Sequence, residues 1–262
     1  MRQEDRLGLI LEQLNQHGSV GVGELAGQLA VSEASVRRDL HLLEQQKLLT
    51  RTHGGAVASG GVLYELPMRY RGGQHNEAKR AIARCTASLL PADVTSVGLN
   101  GGTTNTEVAR ALATRPRLRV VTNALNIASE LAVRSNIELV VCGGSARPES
   151  YELVGPLAEL VLSNLNLDLA IIGVDGLSAA AGFTTHHEVE AHTNRALVRA
   201  AGRVIVVADS SKLGRRGFAK ICDISAASDI VTDEHADPKA VAELERLGPR
   251  VHVVQIPQPE VP

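Results

Sequence analysis

Two hydrophobic rhythms follow one another along this chain. In the first 46 residues, apolar positions recur at helical spacing: Leu7, Ile10, Leu11 and Leu14 in a stretch closed by His17-Gly18, then Leu25 and Leu29 in a stretch from about Val22 to Ala30, then Val36, Leu40 and Leu43. Ser32, with Ser35 three residues on, reads as the N-cap of the third stretch. Past Gln46, Lys47–His53 alternates weakly, Gly54-Gly55 breaks it, and Ala56-Val57-Ala58 reads as a returning strand. Three short helices and a β-ribbon describe a winged helix-turn-helix over residues 1–58.

The rhythm lapses over residues 59–74, where Ser59-Gly60-Gly61 and Arg69, Arg71, Gly72 and Gly73 read as a linker with a short helix near Leu66 to Tyr70. From Glu77 short apolar runs alternate with amphipathic stretches. Strands are expected at Val94–Gly98, Leu118–Thr122, Ile137–Cys142, Asp168–Gly173, Arg203–Ala208, Ile230–Thr232 and Arg250–Val254. Helices are expected at Glu77–Leu90, Thr104–Ala113, Ala124–Arg134, Glu188–Ala201 and Pro238–Leu247. Continuous apolar strands between such helices imply an α/β domain over residues 75–256, with a mostly parallel, doubly wound sheet covered on both faces. The proline-rich residues 257–262 read as a disordered tail.

On a helical wheel the third helix carries Val36, Leu40 and Leu43 on one face, and Ala34, Arg37, Arg38, His41 and Gln45 on the other, with Asp39 and Glu44 at the flanks. Arginine forks can grip guanine edges or phosphates, and the N-terminal part of the second helix of a helix-turn-helix meets the bases. Ser32, Ala34, Ser35, Arg37, Arg38 and His41 are therefore the candidate DNA contacts, joined by Arg51 and His53 on the wing. A solvated helix face, or a helix-turn-helix that contacts protein, is the alternative.

Composition qualifies this picture. The chain has 262 residues, 44% hydrophobic and 21% charged, as in a soluble globular protein, and a net charge of −2. Residues 1–58 themselves hold six Lys and Arg against seven Asp and Glu, so the basic signal is confined to one helix face and the wing. Two per cent aromatics and no Trp argue against stacking of single-stranded bases. Cys85, Cys142 and Cys222 form no C-x-x-C pair and read as reduced thiols. Acidic residues follow the first Met where a signal peptide needs basic ones, and no apolar run approaches a membrane span, so a cytoplasmic location is expected.

The most chemical segment is Gly98–Asn105. It follows an apolar strand and opens a helix, so Asn100, Gly101, Gly102, Thr103 and Thr104 suit an anion such as phosphate, or form an ordinary glycine-rich turn. No Gly-Lys-Ser/Thr follows, which argues against nucleoside triphosphate hydrolysis. Asn123, Asp175, Asp209 and Lys212 follow other strands, and Arg147 follows the Gly143-Gly144 turn. Ligands of open α/β sheets gather beyond the carboxyl ends of strands, so these residues are expected to converge, Lys212 on phosphate and Asp175 and Asp209 on sugar hydroxyls. A surface role for Lys212 and Arg147, and a cap role for Asp209, remain open. His186, His187 and His192 lack a zinc-site spacing, and no metal or cofactor is expected.

Val31–Leu40, Leu43-Glu44 and Arg51–Ala56 together resemble the N-terminal signature of the DeoR family of bacterial transcriptional regulators, with Ser35 where Thr is usual and Gln46 where Gly is usual. The resemblance extends over about residues 2–255. The Gly-Thr-Thr turn, Thr122-Asn123, the Gly-Gly-x-x-Arg turn, Gly182–Thr185 and Ala208–Lys212 are similar to that family's effector domain, whose fold is similar to ribose-phosphate isomerases. The resemblance implies a repressor of a carbohydrate operon that binds double-stranded operator DNA as a homodimer or homotetramer and is released by a phosphorylated sugar or related metabolite. Asn100 stands where Asp is usual, and Asn194 where Lys is usual, in the helix containing Arg195. These departures bear on which effector fits. A sugar-phosphate isomerase with an accessory N-terminal domain is the alternative.

Overall fold

The computed structural model describes residues 3–58 and 67–257, in two compact units, Met1–Gln74 and His75–Pro262. The first unit runs α1 (Gln3–His17), β1 (Ser19–Gly21), α2 (Val22–Leu29), α3 (Glu33–Gln45), β2 (Leu49–Thr52), β3 (Gly55–Ala58) and α4 (Met68–Arg71). The apolar stripes of the three main helices close on one core containing Leu11, Leu14, Leu25, Val36, Leu40 and Leu43, all at most 1% exposed. The ribbon has three strands in the order β1-β3-β2, all antiparallel. β1 went unread because three residues carry no periodicity.

Part of the expected linker is structured. Residues 59–66 lie outside the described residues, but α4 buries Met68 and Tyr70, and Tyr70 joins the core of the first unit. A Cβ at Gly8 of α1 would meet the Tyr70 carbonyl oxygen at 2.2 Å, so α4 can pack this closely only over glycine. Gln46 accepts hydrogen bonds from the Tyr70 hydroxyl and, at 3.0 Å, from Arg69. α3 ends on Gln46 with φ −85°, and the left-handed residue is Lys47, φ 59°.

The second unit continues α5 (Asn76–Ser88), β4 (Ser96–Leu99), α6 (Thr103–Leu112), β5 (Leu118–Thr122), α7 (Leu125–Leu131), β6 (Ile137–Val141), β7 (Ser145–Arg147), β8 (Glu152–Val154), α8 (Pro156–Ser163) and β9 (Leu167–Gly173). It is completed by β10 (Gly176–Ser178), β11 (Gly182–Thr185), α9 (Glu188–Arg199), β12 (Ala201–Val207), β13 (Ala219–Cys222), β14 (Asp229–Asp233), α10 (Pro238–Glu245) and β15 (Arg250–Val254). Seven strands form a wholly parallel sheet in the order β15-β14-β12-β9-β4-β5-β6. Alternate strand residues feed two cores: Leu169 and Ile171 pack with the residues of α5, α6 and α7, and Ala170 and Ile172 with those of α8, α9 and α10.

The chain winds outward from β4 to β6, then returns beside β4 as β9 and winds the other way, so the strand order reverses between β4 and β9. That seam is stapled at both ends. At the amino end the Asp168 carboxylate accepts from the backbone and hydroxyl groups of Thr95 and Ser96, at 2.9–3.0 Å. At the carboxyl end the Asn100 amide donates to the Gly173 carbonyl at 3.0 Å and accepts from the Gly173 N–H at 2.8 Å. A hairpin of β7 and β8, a small sheet β10-β11-β13 and α8 are elements the periodicity missed. Cys85, Cys142 and Cys222 are free thiols. No described helix is long and apolar enough to cross a membrane.

Candidate functional site

The helix-turn-helix is α2 and α3, joined through Ala30 in a left-handed conformation, φ 53°. Ser32 caps α3: its hydroxyl accepts the Ser35 N–H at 3.2 Å. Because Val36, Leu40 and Leu43 are buried, the opposite face is presented outward, with Ala34, Arg37, Arg38 and His41 exposed and Ser35 partly so. Arg51 and His53 are exposed on the ribbon. Arg38 has no partner among the described residues, whereas Arg37 donates to Glu33 at 2.7 Å. That pair is more than half exposed, so it holds Arg37 only weakly against a phosphate.

Asp39 corrects the wheel. It is not a flanking surface acid but is 1% exposed, and Arg6 of α1 grips it at 2.5 and 3.0 Å, with Gln3 at 3.3 Å. The pair fixes the rotation of α3 on α1 and removes an acid from the outward face. Glu44 bridges to the wing: its carboxylate accepts the Arg51 N–H at 3.2 Å and lies 3.6 Å from the Arg51 guanidinium and 3.8 Å from His41. Residues facing α1 and the wing thus set the posture of those facing outward.

In the second unit the carboxyl ends of five adjacent strands, β12-β9-β4-β5-β6, deliver the expected polar residues to one edge. Gly102 begins α6 at φ 107°, which only glycine adopts without strain, and no side chain caps that helix. The first-turn N–H groups of Thr103, Thr104 and Asn105 therefore lack intrahelical acceptors. Two residues before Thr103, the N–H of Gly101 is held by the buried carboxylate of Glu152, against which a Cβ at position 101 would collide. Asn100 is 2% exposed, and both atoms of its amide are engaged: besides the Gly173 pair, its oxygen accepts from Asn105 at 2.7 Å. Asn123 is buried, and its amide nitrogen donates to the Leu153 carbonyl at 3.1 Å, leaving its oxygen without a hydrogen bond.

The remaining groups form two clusters. The Thr185 hydroxyl lies 2.8 Å from carboxylate oxygens of both Asp175 and Glu190, and Arg147 reaches Glu190 at 3.1 Å. Asp209 caps the 3-10 turn Ser210–Lys212 by accepting the Ser211 N–H at 3.1 Å. Burial of the Asp209 carboxyl opposes its ionisation. The Lys212 charge, the Ser211 hydroxyl and the charges of Lys79 and His75 nevertheless hold it below the ordinary carboxylate value. Asn194 is 1% exposed, and neither atom of its amide finds a hydrogen bond. Of the histidines, His187 caps α9, accepting the Val189 N–H at 3.3 Å, and His192 is exposed on α9. Among the described residues no group of three His, Cys, Asp or Glu is placed to hold a metal ion.

Sequence reasoning missed Lys79, Glu152 and Glu190. Two of them left a signal. Lys79 occupies the buried face of α5 with Ala78, Ile82 and Ala83, where a lysine is out of place unless it meets an acid. Glu190, Thr193, Asn194 and Leu197 follow the i, i+3, i+4, i+7 spacing of a core stripe, so its polar members are directed inward. Glu152 left none, because β8 is only three residues long.

Residues 6–60 match the DeoR-like helix-turn-helix domain, and residues 74–234 match the DeoR C terminal sensor domain. The chain is 36% identical to the HTH-type transcriptional regulator GlpR of Haloferax volcanii, over 95% of this chain and 96% of that one. It is 33% identical to the Glycerol-3-phosphate regulon repressor of Escherichia coli strain K12, over 89% and 92% of the two chains. Among solved structures, ribose 5 phosphate isomerase A from Neisseria gonorrhoeae shows a partial likeness: 17% identity, 51% of this chain, 52% of that chain and a TM-score of 0.38.

Proposed function

This chain belongs to the DeoR family of transcriptional regulators, and on that premise we propose that it represses a carbohydrate catabolic operon until a phosphorylated sugar or related metabolite binds its second unit. Arg37, Arg38, His41 and the wing residues Arg51 and His53 hold the operator. The effector's phosphate sits against the uncapped first turn of α6, with Lys212 as its counter-charge. Its hydroxyls bond to polar groups such as the open amide oxygen of Asn123. The observation that carries this reading is the convergence of five strand ends on one edge, beside a helix start that no side chain caps and whose first-turn N–H groups have no intrahelical acceptor. One relative's name, Glycerol-3-phosphate regulon repressor, supports a small phosphorylated polyol as the chemical class.

Where the family usually has an acid and a base, this chain has Asn100 and Asn194. Asn100 serves the β4–β9 seam, and the unsatisfied amide of Asn194 awaits a neutral partner, such as an effector hydroxyl. The test is thermal denaturation of the protein with a panel of pentose, hexose and triose phosphates, each beside its unphosphorylated counterpart. Phosphorylated ligands alone are expected to raise Tm, and Lys212→Ala to lose most of that shift while keeping operator affinity. Equal shifts from unphosphorylated sugars, or an unchanged response in Lys212→Ala, remove the phosphate from this site. Turnover of any member of the panel would favour the isomerase alternative.

A further inference from the structure

α8 carries leucine on all sides. Ala158 and Leu162 enter the core of the second unit, yet Leu157 and Leu160 are 65% and 61% exposed. An eight-residue helix that turns two leucines to water, one turn apart, presents a small apolar ridge. Beside the ridge runs a groove of about 630 Å³ between α8 and α9, walled by Leu160, Glu159, His192, Arg195 and Arg199. Arg195 is fixed in that wall, donating to the carbonyls of Lys220 and Ile221 at 2.6 and 2.9 Å.

Two opposite charges on this groove are uncommitted. Glu159 on α8 and Arg199 on α9 line the same cleft, but neither has an ion-pair partner among the described residues. The face therefore offers a ridge and a groove, an acid and a base, side by side. That is the composition a twofold interface needs, because every group must find its complement on a second copy of the same patch.

We infer that the α8–α9 face is a self-association surface whose occupant is a second copy of this chain. About a twofold axis, α8 of each protomer crosses α8 of the other. Leu160 enters the opposing groove, Leu157 is covered beside it, and Glu159 meets Arg199 of the partner subunit. A symmetric operator asks for paired recognition helices, and this face supplies the pairing from the sensor unit. The inference is independent of which effector the sensor takes.

The test is sedimentation of the full chain over a wide concentration range. The wild type is expected to sediment as a dimer, or as a tetramer that retains this contact. Leu157→Glu with Leu160→Glu is expected to halve the mass while the circular dichroism stays unchanged, since both side chains are exposed in the protomer, and to abolish the concentration dependence of the thermal transition that association confers. Glu159→Arg and Arg199→Glu test the same face without touching the ridge. Each alone should weaken association by about tenfold, and the two together should restore it. A monomeric wild type overturns the inference, as does association that survives both leucine replacements in a folded chain. A combined reversal no better than the single ones overturns it too.

Discussion

Single side chains decide how the sensor edge is held. Asn100 donates to one backbone carbonyl and accepts from the N–H of the same residue, a reciprocal pair that needs an amide. Asn100→Asp keeps the shape but sets a carboxylate oxygen against the Gly173 carbonyl. It should destabilise the second unit by about 1–3 kcal/mol, read as a lower urea midpoint at unchanged slope. A variant as stable as wild type would show that the seam does not depend on that donor. Asp168, at the other end of the seam, is a pH-dependent staple. Hydrogen bonds from the Thr95 backbone, the largest effect, and then from the Ser96 backbone and both hydroxyls outweigh desolvation and lower its pKa from the ordinary 3.8. A carboxyl titrating lower in the folded than in the unfolded state adds stability that is fully present above its unfolded pKa and is lost as pH falls through the folded one. Urea unfolding of wild type and Asp168→Asn should therefore differ near neutral pH and converge in acid; parallel curves at every pH would contradict this.

At the scale of elements, the recognition helix is steered from beneath. Arg6 and Asp39 join α1 to α3 in a nearly dry contact, with side chains 14% and 1% exposed. Arg6→Ala leaves a buried carboxylate without its cation and should cost about 3–5 kcal/mol. Replacing both partners by apolar residues should recover most of that stability. If the double variant also recovers operator affinity, the ion pair acts only through stability; if it folds but binds poorly, the pair aims the helix. This contact also shows what sequence can and cannot reveal. Long periodic elements were legible: β5 and β15 lie at Leu118–Thr122 and Arg250–Val254 as read, and α3 begins after Ser32. Elements of three residues, such as β1, β7, β8 and β10, hold too few positions to display a period. Asp39 was misread for another reason. A wheel records angle alone, and a buried acid becomes intelligible only when its cation, 33 residues away, is in view. The outward face of α3 and the position of the strand-end residues were legible because helical spacing and the strand-end rule locate them. Lys79, Glu152 and Glu190 belong to the same edge through tertiary contact.

For the whole molecule, a net charge of −2 sets the style of DNA binding. Glu33 and Glu44 stand beside Arg37 and Arg51, so non-specific attraction is expected to be weak and each cation that reaches the duplex to matter. Arg38, with no partner among the described residues, is the most available of them. If it grips phosphate, Arg38→Ala should make the slope of log affinity against log salt shallower by about 1 per half-site. If it reads a base edge, affinity should fall by about 1–3 kcal/mol at constant slope, with relaxed preference at one position. Neither change would remove Arg38 from the interface. In the proposed function, one chain couples that face to a phosphorylated ligand. The most direct measurement is fluorescence anisotropy of labelled operator DNA bound to the full chain, titrated with the sugar phosphate that stabilises it, and in parallel with the unphosphorylated sugar and with inorganic phosphate. The sugar phosphate should weaken operator binding, neither control should match it, and Lys212→Ala should blunt the response. Operator affinity indifferent to every phosphorylated ligand that binds the protein would contradict it.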